Sequence, residues 1–344
     1  MASFAASMAN MTAAAPQGKK KKKKKREASS SVDGNPSGLG TTSDSPASKR
    51  LKLQPLKAPP LVTFLGIGMQ KAGTSWLYSM LSSHPSVALS HAKEVHYWDM
   101  HKEDRDMGDE WYERQFPEDT EGKLVGEITP DYINMYATRI GQMHRYNPDM
   151  KLIVLHREEI SRACSAFLMW NRIAAEKNEA KSIESMEDDE VFEALTSLDP
   201  PHCMGLSEMG NGLDNLTTNG FKPEQILVAE FEDVAKRPNH LMNVVFDFLG
   251  VDRIDIEEEK LKTNFQIKTD RTAVIPNKSN KFPKDLKERI MGRLEEAYKE
   301  LKRRNKKVGG PYLKRYQALM DAEVDAAKEK ENSSTTTETL TKIK

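Results

Sequence analysis

The stretch with the clearest chemistry is Gly66-Ile67-Gly68-Met69-Gln70-Lys71-Ala72-Gly73-Thr74-Ser75-Trp76. A glycine-bearing loop that opens a helix presents backbone N–H groups and the positive end of the helix dipole to an anion. Thr74 and Ser75 add hydroxyl donors, and Lys71 adds a mobile positive charge. An ordinary strand–helix turn would explain the glycines, but not a Lys-x-Gly-Thr-Ser run directly after a strand. We therefore read an anion site here. A Walker A loop needs Gly-Lys-Ser/Thr after four spacer residues, and in this chain the lysine precedes the glycine. A dinucleotide fingerprint needs a glycine where Lys71 stands.

The elements that must hold this loop are legible around it. Leu61-Val62-Thr63-Phe64-Leu65-Gly66-Ile67-Gly68 is a short apolar run after Pro59-Pro60, which predicts a buried strand. Thr74 to Leu81 is predicted helical, ending before His84-Pro85. Further strands are expected at Ser86–Ser90, Leu124–Ile128, Lys151–Arg157 and Ile226–Phe231. Helices are expected at Tyr136–Tyr146, Ile160–Trp170, Pro238–Leu249 and Asp285–Arg304. Strands alternating with helices predict an α/β fold, a P-loop-like parallel β-sheet flanked by helices. Leu152-Ile153-Val154-Leu155 is apolar throughout, as a central strand covered on both faces should be. Residues 174–200, with Glu187-Asp188-Asp189-Glu190, read as an acidic, irregular surface insertion. Beyond Lys307 the pattern weakens to one peripheral helix (Pro311–Lys330) and a polar tail.

Of the 344 residues, 52 are basic and 52 acidic, so the formal net charge is zero. Residues 1–60 nevertheless carry twelve Lys/Arg against Glu27, Asp33 and Asp44, a net +9 that the remainder cancels. Ala, Ser, Gly and Pro surround the lysine run at 19–26, and such composition cannot bury enough apolar surface to fold. The expected organisation is a disordered basic arm (1–60), a single domain (61–305), and a peripheral helix with a polar tail (306–344). The arm reads either as a nuclear-import or nucleic-acid contact or as a solvated tail. No apolar run approaches the ~20 residues of a membrane span. The start of the chain lacks the charged and apolar regions of a secretory signal. Cys164 and Cys203 alone make neither a disulfide scaffold nor a cysteine-based zinc site. A reducing, cytoplasmic setting is expected, with a nuclear one as the arm's alternative.

Lys71-Ala72-Gly73-Thr74-Ser75-Trp76 resembles the 5′-phosphosulfate loop of sulfotransferases that use 3′-phosphoadenosine 5′-phosphosulfate (PAPS). A second block, Leu155-His156-Arg157-Glu158-Glu159-Ile160-Ser161-Arg162-Ala163-Cys164-Ser165, has the family's strand-end arginine with a serine eight residues on. Lys93-Glu94-Val95-His96-Tyr97-Trp98-Asp99 and Gly126-Glu127-Ile128-Thr129-Pro130-Asp131-Tyr132 resemble stretches of heparan-sulfate-type members, and Ile226–Asp233 with Phe248-Leu249-Gly250 fits the same superfamily. The resemblance implies the sulfotransferase fold over 61–305. It implies donor contacts from Lys71, Ala72, Gly73, Thr74, Ser75 and Trp76, with Arg157 and Ser165 on the 3′-phosphate. The reaction implied is in-line sulfuryl transfer from PAPS to a hydroxyl or amine of a small-molecule or glycan acceptor. Lys71 would stabilise the leaving phosphate and Glu94 would act as general base, with His96 orienting it and Asp99 in support. A Lys93–Glu94 salt bridge and a half-buried structural His96 are the alternatives. No metal is expected, and His91 with His96 has no standard zinc spacing.

The match also departs from the family. Ser75 and Ile128 stand where heparan-type members carry an arginine and a lysine, which points away from a polyanionic sugar toward a smaller acceptor. Glu159 stands where proline is common. The nucleotide-closing loop finds only a loose counterpart in Asn277-Lys278-Ser279-Asn280-Lys281. Two other functions are open to the sequence. A P-loop nucleotide kinase would need Gly-Lys-Ser/Thr and a magnesium-holding aspartate at a strand end, yet the strand from Lys151 ends in His156-Arg157. A nucleic-acid-binding protein would act through the lysine arm alone, with steep salt dependence.

Overall fold

The computed structural model describes residues 60–100, 108–176, 183–198, 203–263, 265–267, 274–276 and 282–342. The basic arm before residue 60 and the Asn277–Lys281 stretch lie outside the described residues. Five parallel strands form one sheet in the order β2-β3-β1-β4-β5: β1 (Phe64–Gly68), β2 (Val87–Leu89), β3 (Leu124–Ile128), β4 (Lys151–His156) and β5 (Ile226–Glu230). β1 lies at the centre, pairing Phe64 with Gly126 of β3 on one side and with Lys151 of β4 on the other. Every residue of β1 is buried, as are Leu152 to Leu155 of β4, because helices cover both faces of the sheet. Gly66 permits the close approach of β1 to β3, since a Cβ there would lie 2.9 Å from Ile128 Cγ1.

The chain leaves β1 toward β2 through α1 (Thr74–Leu81), returns to β3, then passes to the far side of β1 for β4. That reversal opens a crevice at the carboxyl ends of the central strands, the usual ligand position in such sheets. α2 (Gly108–Glu113) and α3 (Ala137–Tyr146) precede β4. After β4 come α4 (Glu159–Glu176), α5 (Asp188–Thr196) and α6 (Met209–Thr218), and after β5 come α7 (Glu232–Lys236), α8 (Pro238–Leu249) and α9 (Glu258–Lys262). A two-stranded antiparallel hairpin, β6 (Phe265–Ile267) and β7 (Val274–Pro276), precedes the last helix, α10 (Lys284–Lys342).

Two segments differ from the sequence reading. The acidic run expected to be irregular contains α5, whose Val191 and Leu195 are buried one turn apart while Asp188 and Asp189 pair with Arg289 and Arg293 of α10. The helices expected at 285–304 and 311–330 are one helix, and the second part is not peripheral. Tyr312, Tyr316 and Met320, spaced by four, are buried in the main core and carry the helix through Pro311. Buried Asn305 donates to Glu159 Oε1 (2.9 Å) and Ser207 O (2.7 Å) and accepts from Gly210 N–H (2.7 Å), fastening α10 to α4 and α6.

Candidate active site

The loop between β1 and α1 sits where the crevice opens. Gly73 caps α1 in the left-handed region (φ 90°), and a Cβ there would lie 3.1 Å from Phe231, so only glycine fits without strain. Trp76 is buried, and its indole N–H donates to Leu261 O of α9 at 2.9 Å. It therefore braces the loop from behind. Thr74 is buried, whereas Ser75 remains partly open.

Two arginines clamp the loop's carbonyls from α4 and its approach. Arg157 Nη1 donates to Lys71 O at 2.9 Å, and its guanidinium lies 4.4 Å over the Phe231 ring. Its other N–H groups have no hydrogen-bond partner among the described residues. Arg162 is wholly buried; Nη1 donates to Gln70 O at 3.2 Å, Nε to Ser207 Oγ at 2.7 Å, and Nη2 to Cys203 O. These contacts hold the carbonyls of residues 70 and 71 toward α4, while the Met69 and Ala72 amides bond to Leu155 O (3.0 Å) and Met69 O (3.1 Å). Sequence reasoning found Arg157 and missed Arg162, whose partners lie 41 to 92 positions away. Ser165 is half-buried in the second turn of α4.

Lys71 lies partly buried among other cations. Burial, then the charges of Arg172 and Arg157, bring its ammonium down to about 8, with Glu94 pulling the other way. Burial lowers Arg157 as well.

Opposite stands the segment 93–99. Consecutive amides are pinned to the end of β3: Glu94 N–H to Ile128 O (3.2 Å), Val95 N–H to Glu127 Oε2 (3.4 Å) and His96 N–H to Thr129 Oγ1 (3.5 Å). Glu127 is the hub. It is fully buried and accepts from Thr129 (2.6 Å), Tyr132 (2.8 Å) and Tyr112 (3.0 Å), while burial raises its carboxyl. The Tyr97 ring stacks on Tyr112 at 4.3 Å, and Trp98 meets the same ring edge-on. This support holds Glu94 (φ 66°) and His96 (φ 58°) in left-handed backbone, a state that costs about 1–3 kcal/mol per residue. With Lys71 (φ 68°), they are the non-glycine residues of positive φ among those described. All three were named from the sequence.

Glu94 Oε1 accepts from the buried Lys93 ammonium, so the salt bridge weighed as an alternative is present. Glu94 Oε2 lies 4.0 Å from His96 Nε2, and His96 Nδ1 lies 2.8 Å from Asp99 Oδ2. The result is a Glu–His–Asp array that feels Lys71 electrostatically. His91 is exposed and takes no part. His96, Asp99 and Asp131 nevertheless bring ligand-capable atoms within 4.8 Å of one another, a grouping sequence reasoning did not foresee. Ile128, where the resemblance called for a lysine, is wholly buried against Gly66 and adds no cation.

The family model for the sulfotransferase domain matches residues 63–304. The chain belongs to the sulfotransferase family. Among curated relatives of this family member, a membrane-associated sulfotransferase (kil1) of Dictyostelium discoideum is 34% identical over 110 residues, covering 31% of the chain and 22% of the relative. Human heparan sulfate glucosamine 3-O-sulfotransferase 6 is 34% identical over 102 residues, covering 29% and 28%. The chain thus spans less than a third of the length of these relatives. A solved sulfotransferase from Alicyclobacillus acidocaldarius superposes with a TM-score of 0.48 at 21% identity, over 70% of this chain and 94% of that one. Among the described residues, no helix is long and apolar enough to cross a membrane.

Proposed function

We propose that the protein transfers the sulfuryl group of PAPS to a hydroxyl or amine of a small acceptor. The observation that carries this reading is the partly buried cation group of Lys71, Arg157 and Arg172 at the β1 loop, where Arg157 holds Lys71 O, together with the Glu94–His96–Asp99 array. The loop amides, Thr74, Ser75 and Lys71 would hold the phosphosulfate. Arg157, with N–H groups to spare, and Ser165 would hold the 3′-phosphate; the arginine's planar fork suits it. In the transfer, the acceptor oxygen or nitrogen forms a bond to sulfur as the sulfur–phosphate oxygen bond breaks. Lys71 would neutralise the charge that grows on the leaving phosphate, and Glu94 would take the acceptor's proton. Ser75 and buried Ile128 leave the acceptor side short of cations, which favours a small acceptor over an acidic glycan.

Calorimetric titration of the full chain with 3′-phosphoadenosine 5′-phosphate and with ATP, in EDTA, tests the donor site. The bisphosphate should bind and ATP should not. Arg157→Ala should weaken the bisphosphate about 30-fold or more, the scale for truncating one partner of an enclosed charge-assisted contact. Equal affinity for ATP, or no change with Arg157→Ala in a folded protein, would refute the assignment.

A further inference from the structure

We infer that the pocket formed by His96, Asp99 and Asp131 binds a cationic nitrogen of the acceptor, so that the enzyme sulfates the hydroxyl group of an amine-bearing molecule. The inference rests on the sulfotransferase reading above and adds the chemical class of its acceptor.

Asp131 is the second residue of the turn Pro130–Asn134 that follows β3. The residue keeps some exposure, but its carboxyl is buried and Oδ1 is shut off from solvent with no hydrogen-bond partner. Asp99 Oδ1 is in the same condition, although Asp99 Oδ2 faces His96 Nδ1 at 2.8 Å. Two enclosed carboxylate oxygens without donors are costly to keep ionised. Burial accordingly raises Asp131 to about 6, with His96 opposing the rise and Glu94 and Asp99 adding to it.

Among the described residues no cation satisfies these oxygens. Lys93 is bound to Glu94, and Arg162, which also senses Asp131, spends its donors on Ser207, Gln70 and Cys203. The missing group must bring N–H donors and positive charge. A tetrahedral ammonium with hydrogen bonds of about 2.8 Å spans about 4.6 Å between acceptors, which this pocket allows. A metal ion suits it less, because His96 Nδ1 and Asp99 Oδ2 already face each other at hydrogen-bond distance. A protonated amine has no lone pair, so the docked nitrogen is not the nucleophile. A hydroxyl elsewhere on the acceptor attacks sulfur, its proton passes to Glu94, and 3′-phosphoadenosine 5′-phosphate leaves.

The test uses the full chain saturated with 3′-phosphoadenosine 5′-phosphate, with labelled histidine side chains and the His96 resonance followed by NMR. Methylammonium should shift that resonance saturably, and Asp131→Asn, which keeps the shape, should weaken the effect about tenfold or more. No saturable shift, or equal affinity in Asp131→Asn, would overturn the inference. Mn²⁺ alone is titrated in parallel. Broadening of His96 at micromolar Mn²⁺ that Asp131→Asn abolishes would assign the pocket to a metal ion and equally overturn it. If the bisphosphate itself fails to bind, the donor reading falls, while the methylammonium titration of the bare protein still decides the pocket.

Discussion

Lys71→Met isolates the tension between stability and the proposed function at the β1–α1 loop. The substitution keeps the length of the side chain and removes the charge. Folding takes the lysine from its ordinary value of 10.5 down to about 8, mainly through burial and secondarily through Arg172 and Arg157. At about 1.4 kcal/mol per tenfold, keeping that charge at neutral pH costs about 3 kcal/mol. Between about 8 and 10.5 the folded state binds fewer protons than the unfolded one, so stability rises with pH across that window. The penalty is therefore full below about 8 and gone above 10.5. Without ligand, Lys71→Met should be more stable than the parent at pH 7, by up to about 3 kcal/mol. The gain should shrink markedly by pH 10. Urea unfolding of both proteins at the two pH values measures this, and calorimetry with 3′-phosphoadenosine 5′-phosphate should show weaker binding by the variant. A variant less stable at pH 7, or a difference that does not change with pH, would refute the electrostatic account of the loop.

Two further outcomes follow from the same geometry. Glu94→Gln should lower kcat by about 10²- to 10⁴-fold while bisphosphate affinity is retained, because the amide keeps an acceptor for Lys93 but takes no proton; steady-state kinetics beside calorimetry separates the two effects. Asn305→Ala should destabilise the fold by about 2–3 kcal/mol in urea, since Glu159 Oε1, Ser207 O and Gly210 N–H each lose a buried partner.

The sheet was readable because its strands are apolar on both faces and lie between glycine- and proline-marked breaks. β3 coincides with the expected Leu124–Ile128, and β1, β4 and β5 fall within their expected spans. The strand–loop–helix unit carried Lys71, and a strand end carried Arg157, so local order was enough to nominate both. Arg162, Glu127, Asp131 and Asn305 were not nominated. Each works through partners distant in sequence or by enclosure, and neither helical nor strand periodicity encodes that. α5 was missed because the charge of its first turn hid Val191 and Leu195. The unbroken course of α10 was missed because Pro311 reads locally as a breaker. What overrides the proline is the buried stripe of Tyr312, Tyr316 and Met320, whose partners lie in the core rather than in the helix.

That same helix settles how the sheet meets its surroundings. A parallel sheet has two outer strands whose unpaired backbone groups invite another chain to pair with them, the start of edge-to-edge aggregation. One outer strand here, β2, is only three residues long and offers little to copy. The other, β5, lies against α10, and Arg315 beyond the proline reaches back to donate to Pro223 O at 2.8 Å and to Ile226 O at the start of the strand. The C-terminal part of the chain, which looks like an appendage in the sequence, packs against the sheet's longer edge strand and occupies its first carbonyl.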